Sequence, residues 1–122
     1  MSDPDSAAAL YGEIGNLYRT QGKFNDAIDW YEKQIVADAE DALVYLYLGN
    51  LLMRQGSLNE AETVFRKALN CKVACFDEVH YSLGIVYRCL GNYTESASHF
   101  QQAIELNDRH TDAKIALKDV KP

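Results

Sequence analysis

Residues 45–56 read YLYLGNLLMRQG, and matching stretches stand at residues 11–22 (YGEIGNLYRTQG) and 80–91 (HYSLGIVYRCLG). In each stretch two glycines lie seven residues apart, and bulky residues occupy positions i, i+3 and i+7 with the first glycine at i+4. These positions share one face of an α-helix, so the first glycine marks a place where another helix comes close. The stretches recur after 34 and then 35 residues, which predicts three copies of one structural unit.

The residues after each stretch predict a second helix in every unit. Small and aromatic residues recur there at helical spacing: Ala27 and Tyr31, then Ala61, Phe65 and Ala68, then Ser96, Phe100 and Ala103. We therefore expect helices near residues 6–20, 24–37, 41–54, 58–69, 77–89 and 93–106, with a final helix near 110–120.

The turns inside the units carry the residues that end one helix and begin the next. Gly22, Gly56 and Gly91 are expected to close each first helix in a left-handed conformation. Ser57 with Glu60 predicts a capping box, and Asn92 with Glu95 predicts an asparagine variant of it. Lys23 occupies the same position in the first unit, so the helix after it is expected to fray more at its beginning.

The whole pattern resembles the tetratricopeptide repeat family, whose repeat reads W-x2-L-G-x2-Y, then A-x3-F, then P, over 34 residues. The resemblance covers nearly the whole chain and divides a single domain, residues 1–122, into repeats at 8–41, 42–75 and 77–110 and a capping helix at 111–120. It implies an all-α fold: a right-handed superhelical α-solenoid of three helix-turn-helix units and a capping helix, seven helices in all.

The chain departs from the family pattern at three kinds of position. Tyr11, Tyr45 and His80 replace the tryptophan, and Ala39, Val73 and Asp108 replace the proline that ends each repeat. The turns between repeats are then less rigidly determined. Phe76 is one extra residue between repeats 2 and 3, and we expect it to bulge or lengthen that junction.

Composition and charge exclude several classes of function. The 122 residues carry a formal net charge of -6, which disfavours nucleic acids and anionic membrane surfaces as partners. No apolar run approaches the roughly 18 residues of a spanning helix, and the N-terminus lacks the pattern of a signal peptide. Three cysteines, an odd number, are typical of reduced thiols, so we expect a cytoplasmic protein.

The resemblance also implies a non-catalytic module for protein–protein interaction. In this family the first helices of the repeats line a concave groove, which would bind a peptide or helical segment of a partner. The groove residues so implied are Asn16, Arg19, Leu43, Leu46, Tyr47, Asn50, Met53, Arg54, Tyr81, Ile85 and Arg88. The net charge favours a neutral or basic segment with apolar anchors.

Two features of this groove have competing interpretations. Between residues 42 and 53 the only polar side chains are Asn50 and two tyrosines, which predicts either an apolar binding floor or a helix packed by its neighbours on all sides. Arg19 and Arg88 hold equivalent positions and Arg54 lies one residue further along its helix, so the three either form a ladder that contacts a ligand or are solvated or paired with Glu13 and Glu78.

One subclass of the family is disfavoured here. Tetratricopeptide domains that bind the acidic C-terminal tail of heat-shock chaperones use a clamp of Lys, Asn, Asn, Lys and Arg. The matching positions here are Gly12, Asn16, Tyr47, Glu78 and Ser82, so only Asn16 fits. Glu78 would repel the carboxylates of that tail, and we expect no binding of it.

Catalytic and metal sites are not predicted, and no cofactor is expected. Cys71 and Cys75, with His80 nearby, lack the second ligand pair that a zinc site requires. His80 is expected to be a partly buried packing residue, His99 to lie on the outer face of its helix, and His110 to lie in a junction.

Two alternative functions remain open at this stage. The protein could associate with itself through the groove or end to end, forming a homo-oligomeric scaffold. It could also be a small chaperone for hydrophobic secretion cargo, although the chaperones of that kind have an extra N-terminal helical segment and only about seven residues precede repeat 1 here.

Overall fold

A computed structural model describes residues 4–71 and 75–120, and their backbone forms seven α-helices with no strand among them. The helices are α1 (Pro4–Thr20), α2 (Phe24–Ala37), α3 (Ala42–Arg54), α4 (Leu58–Leu69), α5 (Phe76–Cys89), α6 (Tyr93–Leu106) and α7 (Thr111–Val120). The all-α prediction is confirmed, and the helix boundaries differ from the predicted ones by at most two residues. No helix in the described part of the chain is both long and apolar enough to cross a membrane.

Three helical hairpins follow one another along the chain. α1 packs against α2, α3 against α4 and α5 against α6, and α7 packs against α6. The tight turn inside each hairpin is closed by Gly22, Gly56 or Gly91, with φ of 77°, 80° and 81°. This left-handed conformation costs a side-chain-bearing residue energy and is readily adopted by glycine, as the sequence pattern predicted.

In each stretch, the first of the two glycines that lie seven residues apart packs directly against an aromatic ring of the hairpin's second helix. Gly15 faces Tyr31, Gly49 faces Phe65 and Gly84 faces Phe100. Tyr31 is 1% exposed and the two phenylalanines are fully buried. The missing side chain of the glycine lets the two helices approach until the ring covers the backbone, which fixes the packing of each hairpin.

The helix starts agree only partly with the predicted caps. The Asn92 side chain accepts a hydrogen bond from the Glu95 backbone N–H at 3.2 Å, and Lys23 provides no side-chain cap, both as predicted. The capping box at Ser57 is wrong, because its hydroxyl makes no bond to the helix. The ψ of Ser57 is 65°, outside the extended region in which an N-cap side chain normally reaches the helix N–H groups.

The junction between repeats 2 and 3 is longer than the other two, as expected. Six residues, 70–75, separate α4 from α5, whereas four separate α2 from α3 and α6 from α7, and Phe76 itself is the first residue of α5. Val73, one of the three residues that replace the family's proline, lies outside the described residues. Asp41 provides a cap that was not predicted: its carboxylate accepts from the Leu43 backbone N–H at 3.0 Å and begins α3.

Candidate functional site

A cleft between α1 and α3 contains two adjoining pockets that share the Tyr47 side chain. The first has a volume of about 260 Å³ and is lined by residues that include Glu13, Asn16, Asp41 and Leu43. The second has a volume of about 340 Å³ and is lined by Arg19, Phe24, Tyr47, Asn50, Leu51 and Arg54. The cleft brings together six of the residues predicted for the groove: Asn16, Arg19, Leu43, Tyr47, Asn50 and Arg54.

The floor of the cleft is a hydrogen-bonded network around Tyr31. Its hydroxyl donates to Asn16 Oδ1 and accepts from Arg19 Nε at 3.0 Å. Burial raises the pKa of Tyr31, and the hydrogen bond from Arg19 partly opposes that rise. The carbonyl oxygen of Asn16 is therefore engaged inside the protein, which leaves its N–H donors for a ligand.

The arginines of the cleft stack on aromatic rings. The guanidinium carbon of Arg19 lies 4.7 Å from the centre of the Tyr47 ring, and that of Arg54 lies 4.7 Å from the centre of the Phe24 ring. Within the described residues, the ion pairs do not include Arg19, Arg54 or Arg88. Pairing of these arginines with Glu13 and Glu78 is thus wrong, while solvated arginines and a ladder that contacts a ligand both stay open.

The central helix α3 is packed by its neighbours over most of its surface. Leu46, predicted for the groove, is a correction: it is 7% exposed and belongs to the main hydrophobic core. Leu43 is 47% exposed, and Tyr47 and Met53 are half-buried. Both interpretations of the apolar stretch therefore hold in part, because one face of the helix closes the core while Leu43 and Tyr47 line the cleft.

The groove residues predicted on α5 are half-buried and lie further along the molecule. Tyr81 packs on Phe100, with ring centres 5.8 Å apart, and on His110 at 5.0 Å. Ile85 belongs to the same small hydrophobic cluster, and Arg88 follows one turn later. A hydrogen bond joins α5 to α3: Ser82 Oγ donates to Asn50 Oδ1 at 3.3 Å, so Asn50 is positioned by α5.

The sequence reasoning missed several residues of the cleft. Phe24, Tyr31, Gln34 and Asp41 line the two pockets, although none of them lies on the first helix of a repeat. Gln34 is buried and donates to Asp41 Oδ2 at 2.8 Å. The only signal in the sequence was the hydroxyl of Tyr31, since the other two repeats have phenylalanine at that position.

A wider depression of about 690 Å³ lies along α2, on residues that were not predicted as a site. It is lined by Tyr11, Trp30, Lys33 and three carboxylates, among other residues. The Lys33 ammonium lies 4.0 Å from the centre of the Trp30 ring. The most favourable position for a ligand cation is therefore occupied by the protein's own lysine.

A pair of histidines packs α5 against α6. His99, expected on the outer face of its helix, is a correction: it is 6% exposed and stacks on Tyr87. The His80 and His99 Nδ1 atoms lie 2.9 Å apart, so one donates and the other accepts. Burial lowers the pKa of His80. The pKa of His99 is lowered to about 4, mainly by burial and to a smaller extent by the charge of His80.

The histidine pair holds the place that Tyr11 and Trp30 hold in the first repeat. Those rings lie 5.8 Å apart, and the rings of His80 and His99 lie 5.2 Å apart. The spacing of the repeats relates the two pairs position by position. The histidines therefore serve the packing of the hairpin, as expected for His80.

One cluster of side chains has the composition of a metal site. Ligand atoms of Asp77, Glu78 and His110 lie within 4.8 Å of one another. His110 Nδ1 accepts from the Ala113 backbone N–H at 3.1 Å, so the proton of the neutral ring is on Nε2. His110 Nε2 lies 2.9 Å from Glu78 Oε1, but its N–H does not point at that oxygen and forms no hydrogen bond with it. Because Nε2 carries the proton in this tautomer, it has no lone pair with which to bind a metal. His110 instead caps α7 through Nδ1, and Asp77 accepts from Asn107 Nδ2 at 3.0 Å.

Solved structures similar to the chain are helical repeat domains. The Arabidopsis OM64 TPR domain superposes with a TM-score of 0.91 at 22% identity and covers 97% of each chain. The second TPR domain of the human RPAP3 protein, in complex with the HSP70 peptide SGPTIEEVD, has a TM-score of 0.90 at 22% identity and covers 98% of this chain and 99% of that one. A crystal structure of MamA protein has a TM-score of 0.83 at 30% identity, covering 93% of this chain and 62% of that one.

Two family models match the sequence. The model described as "Tetratricopeptide repeat" matches residues 40–109, and one described as "TPR repeat" matches residues 15–56. No curated protein matches the chain. Since the first model spans more than half of the 122 residues, and the seven helices form three hairpins and a final helix, this chain belongs to the tetratricopeptide repeat family.

Proposed function

We propose that this protein is a non-catalytic interaction module that binds an extended or helical segment of another protein in the cleft of α1 and α3, along the first helices of its repeats. The observation that carries the proposal is the two adjoining pockets around Tyr47, walled by aromatic faces and by polar side chains with free hydrogen-bonding capacity. Sites of this kind combine apolar anchors with a few convergent polar groups. Asn16 offers its N–H donors to the backbone carbonyls of a partner segment.

The similarity to the human RPAP3 domain supports the general mode of binding. That domain is described in complex with an HSP70 peptide, and it shares the fold of this chain. The clamp positions nevertheless differ here: Gly12 has no side chain, and Glu78 lies beside His110. We therefore propose a partner segment other than the acidic chaperone tail, one that is neutral or basic overall and has apolar anchors.

Two matched variants test the position of the binding site. Leu43 is 47% exposed in the cleft, and Ile115 is 56% exposed on α7. Each is changed to aspartate, and circular dichroism checks that both variants keep the helical fold. Affinity capture from a lysate of the source cells then compares each with the wild-type protein. We expect a partner that the wild type and Ile115→Asp retain and Leu43→Asp loses.

Equal retention by both variants would remove the cleft from the proposal. The capture experiment also addresses the assembly alternative, because a protein that retains only further copies of itself is a self-associating scaffold. Light scattering over a range of concentrations measures this directly. A mass that stays at 13.7 kDa supports a monomeric receptor, and a mass that rises with concentration supports self-association.

A further inference from the structure

The pocket that Arg19, Phe24 and Arg54 line beside Tyr47 is positively charged within an acidic protein. Its lining contains Arg19 and Arg54 and no carboxylate, whereas the chain as a whole has a net charge of -6. With a volume of about 340 Å³ it is large enough for a small charged side chain. Two guanidinium groups that face one pocket, and that have no carboxylate partner among residues 4–71 and 75–120, form an attractive position for an oxyanion.

Both guanidinium groups are held by the protein itself. Arg19 lies over the Tyr47 ring and donates through Nε to the Tyr31 hydroxyl, and through Nη2 to Asn16 Oδ1 at 3.4 Å. Arg54 lies over the Phe24 ring. Stacking uses the flat face of a guanidinium and leaves N–H groups at its edge, which is the geometry that carboxylates bind. The arginines are thus oriented before a ligand arrives, which reduces the entropy lost on binding.

The pocket on the other side of Tyr47 has the opposite charge. Its lining includes Glu13 and Asp41 and no basic residue. Asp41 is already engaged by Gln34 and by the start of α3, while Glu13 is exposed. A partner segment that crosses Tyr47 therefore meets a negative wall on one side and a positive wall on the other.

We propose that the Arg19–Arg54 pocket is a subsite for an aspartate or glutamate side chain of the partner segment, and that the Glu13 pocket receives a basic side chain of the same segment. The inference rests on the proposed function and adds the order of charges along the bound segment. A carboxylate is favoured over a phosphate group because Glu13, Asp41 and the net charge of -6 repel a second negative charge more strongly.

A random-peptide display selection on the full chain tests this inference without knowledge of the natural partner. The selection is made against wild type, against Arg19→Gln/Arg54→Gln, and against Arg109→Gln/Lys67→Gln. The Arg109→Gln/Lys67→Gln variant is the control: it has the same net charge as Arg19→Gln/Arg54→Gln, and both of its changed residues are exposed and outside the cleft. Circular dichroism verifies the helical fold of all three proteins.

We expect wild type and the control variant to select peptides with an acidic residue at one fixed position and a basic residue at another. The Arg19→Gln/Arg54→Gln variant should lose the acidic preference, and each single change should weaken a selected peptide about tenfold, as for a hydrogen bond to a charged group. The inference is overturned if wild type selects peptides with no fixed acidic position, or if the Arg19→Gln/Arg54→Gln variant selects the same acidic position as wild type. Either result leaves the proposed function intact.

Two further outcomes are decisive. If wild type selects no peptide at all, the proposed function fails together with the inference. A selected peptide is also synthesised with phosphoserine in place of the acidic residue, and its affinity is measured by calorimetry. Weaker binding of the phosphopeptide supports the carboxylate assignment, whereas tighter binding assigns the pocket to phosphate and overturns it.

Discussion

Replacing Gly49 by alanine tests the packing that defines each hairpin. A Cβ atom at Gly49 would lie 2.7 Å from both Cδ1 and Cζ of the fully buried Phe65 ring, about 0.8 Å short of ordinary carbon contact near 3.5 Å. Overpacking of this kind costs roughly 3 kcal/mol where the neighbour is a rigid ring. Alanine in place of glycine inside a helix returns about 1 kcal/mol. We therefore expect the free energy of unfolding to fall by about 2 kcal/mol.

Gly12 provides the matched control for this change. It is also a helical glycine, but the added Cβ would meet the end of the Gln34 side chain, which is able to rotate away. Gly12→Ala should therefore lie within about 0.5 kcal/mol of wild type, because the gain in helix propensity offsets the displacement of Gln34. Urea denaturation followed by circular dichroism measures both, and thermal melting should show Gly49→Ala lower by roughly 8 °C.

A second substitution shows whether the Phe65 ring causes the loss. Phe65→Leu removes part of the ring that the new methyl group meets. The double variant Gly49→Ala/Phe65→Leu should then lose at least about 1 kcal/mol less than the sum of the two single losses. If Gly49→Ala is as stable as Gly12→Ala, or if the two losses simply add, the close approach of helix to ring does not determine the packing.

Three other predictions concern the histidine pair and the cleft. The pKa of His99 falls from 6.5 in the unfolded chain to about 4 in the folded protein, so folding favours the neutral ring. This contribution to the free energy of unfolding is complete above pH 6.5 and is lost as the pH falls toward 4. Urea denaturation should show a loss of about 2 kcal/mol from this group between pH 7 and pH 5. The variant His80→Tyr/His99→Trp, which transplants the pair found in the first repeat, should lack this part of the pH dependence, and a dependence equal to that of wild type would contradict the assignment. Tyr31→Phe should lower stability by no more than about 1 kcal/mol but weaken a peptide bound at Arg19 severalfold by calorimetry, and unchanged affinity would show that the hydroxyl does not position the arginine.

The sequence predicted the helices and their pairing because those features repeat. The glycines, the aromatic residues that face them and the left-handed turns occur three times in register, so each copy supports the others. Features that occur once were predicted less well. The capping box at Ser57 depended on a backbone angle, and the burial of His99 depended on its partner across the hairpin, and neither is visible in a residue pattern.

The cleft was predicted in part for the same reason. Periodicity defines the packing face of each first helix, and the resemblance to the family implied that the other face lines a groove; the structure brings Arg19, Tyr47 and Asn50 of that prediction into one cleft. Periodicity does not tell how far the neighbouring hairpin covers that face, and so Leu46 was expected at the surface although it is buried. The stacking of the arginines required knowledge of where α2 places Phe24.

The residue that joins fold and site is Tyr31. In repeats 2 and 3 the ring that covers the glycine is phenylalanine, and it contributes only packing. In repeat 1 the same ring ends in a hydroxyl, which lies at the floor of the cleft and contacts Asn16 and Arg19. The close approach at Gly15 thus fixes the position of the hydroxyl, and the hydroxyl orients two side chains that face the cleft. Because a rigid core contact supports them, the proposed binding requires little reorganisation of these groups, and one oxygen atom added to a packing position connects the core to the cleft.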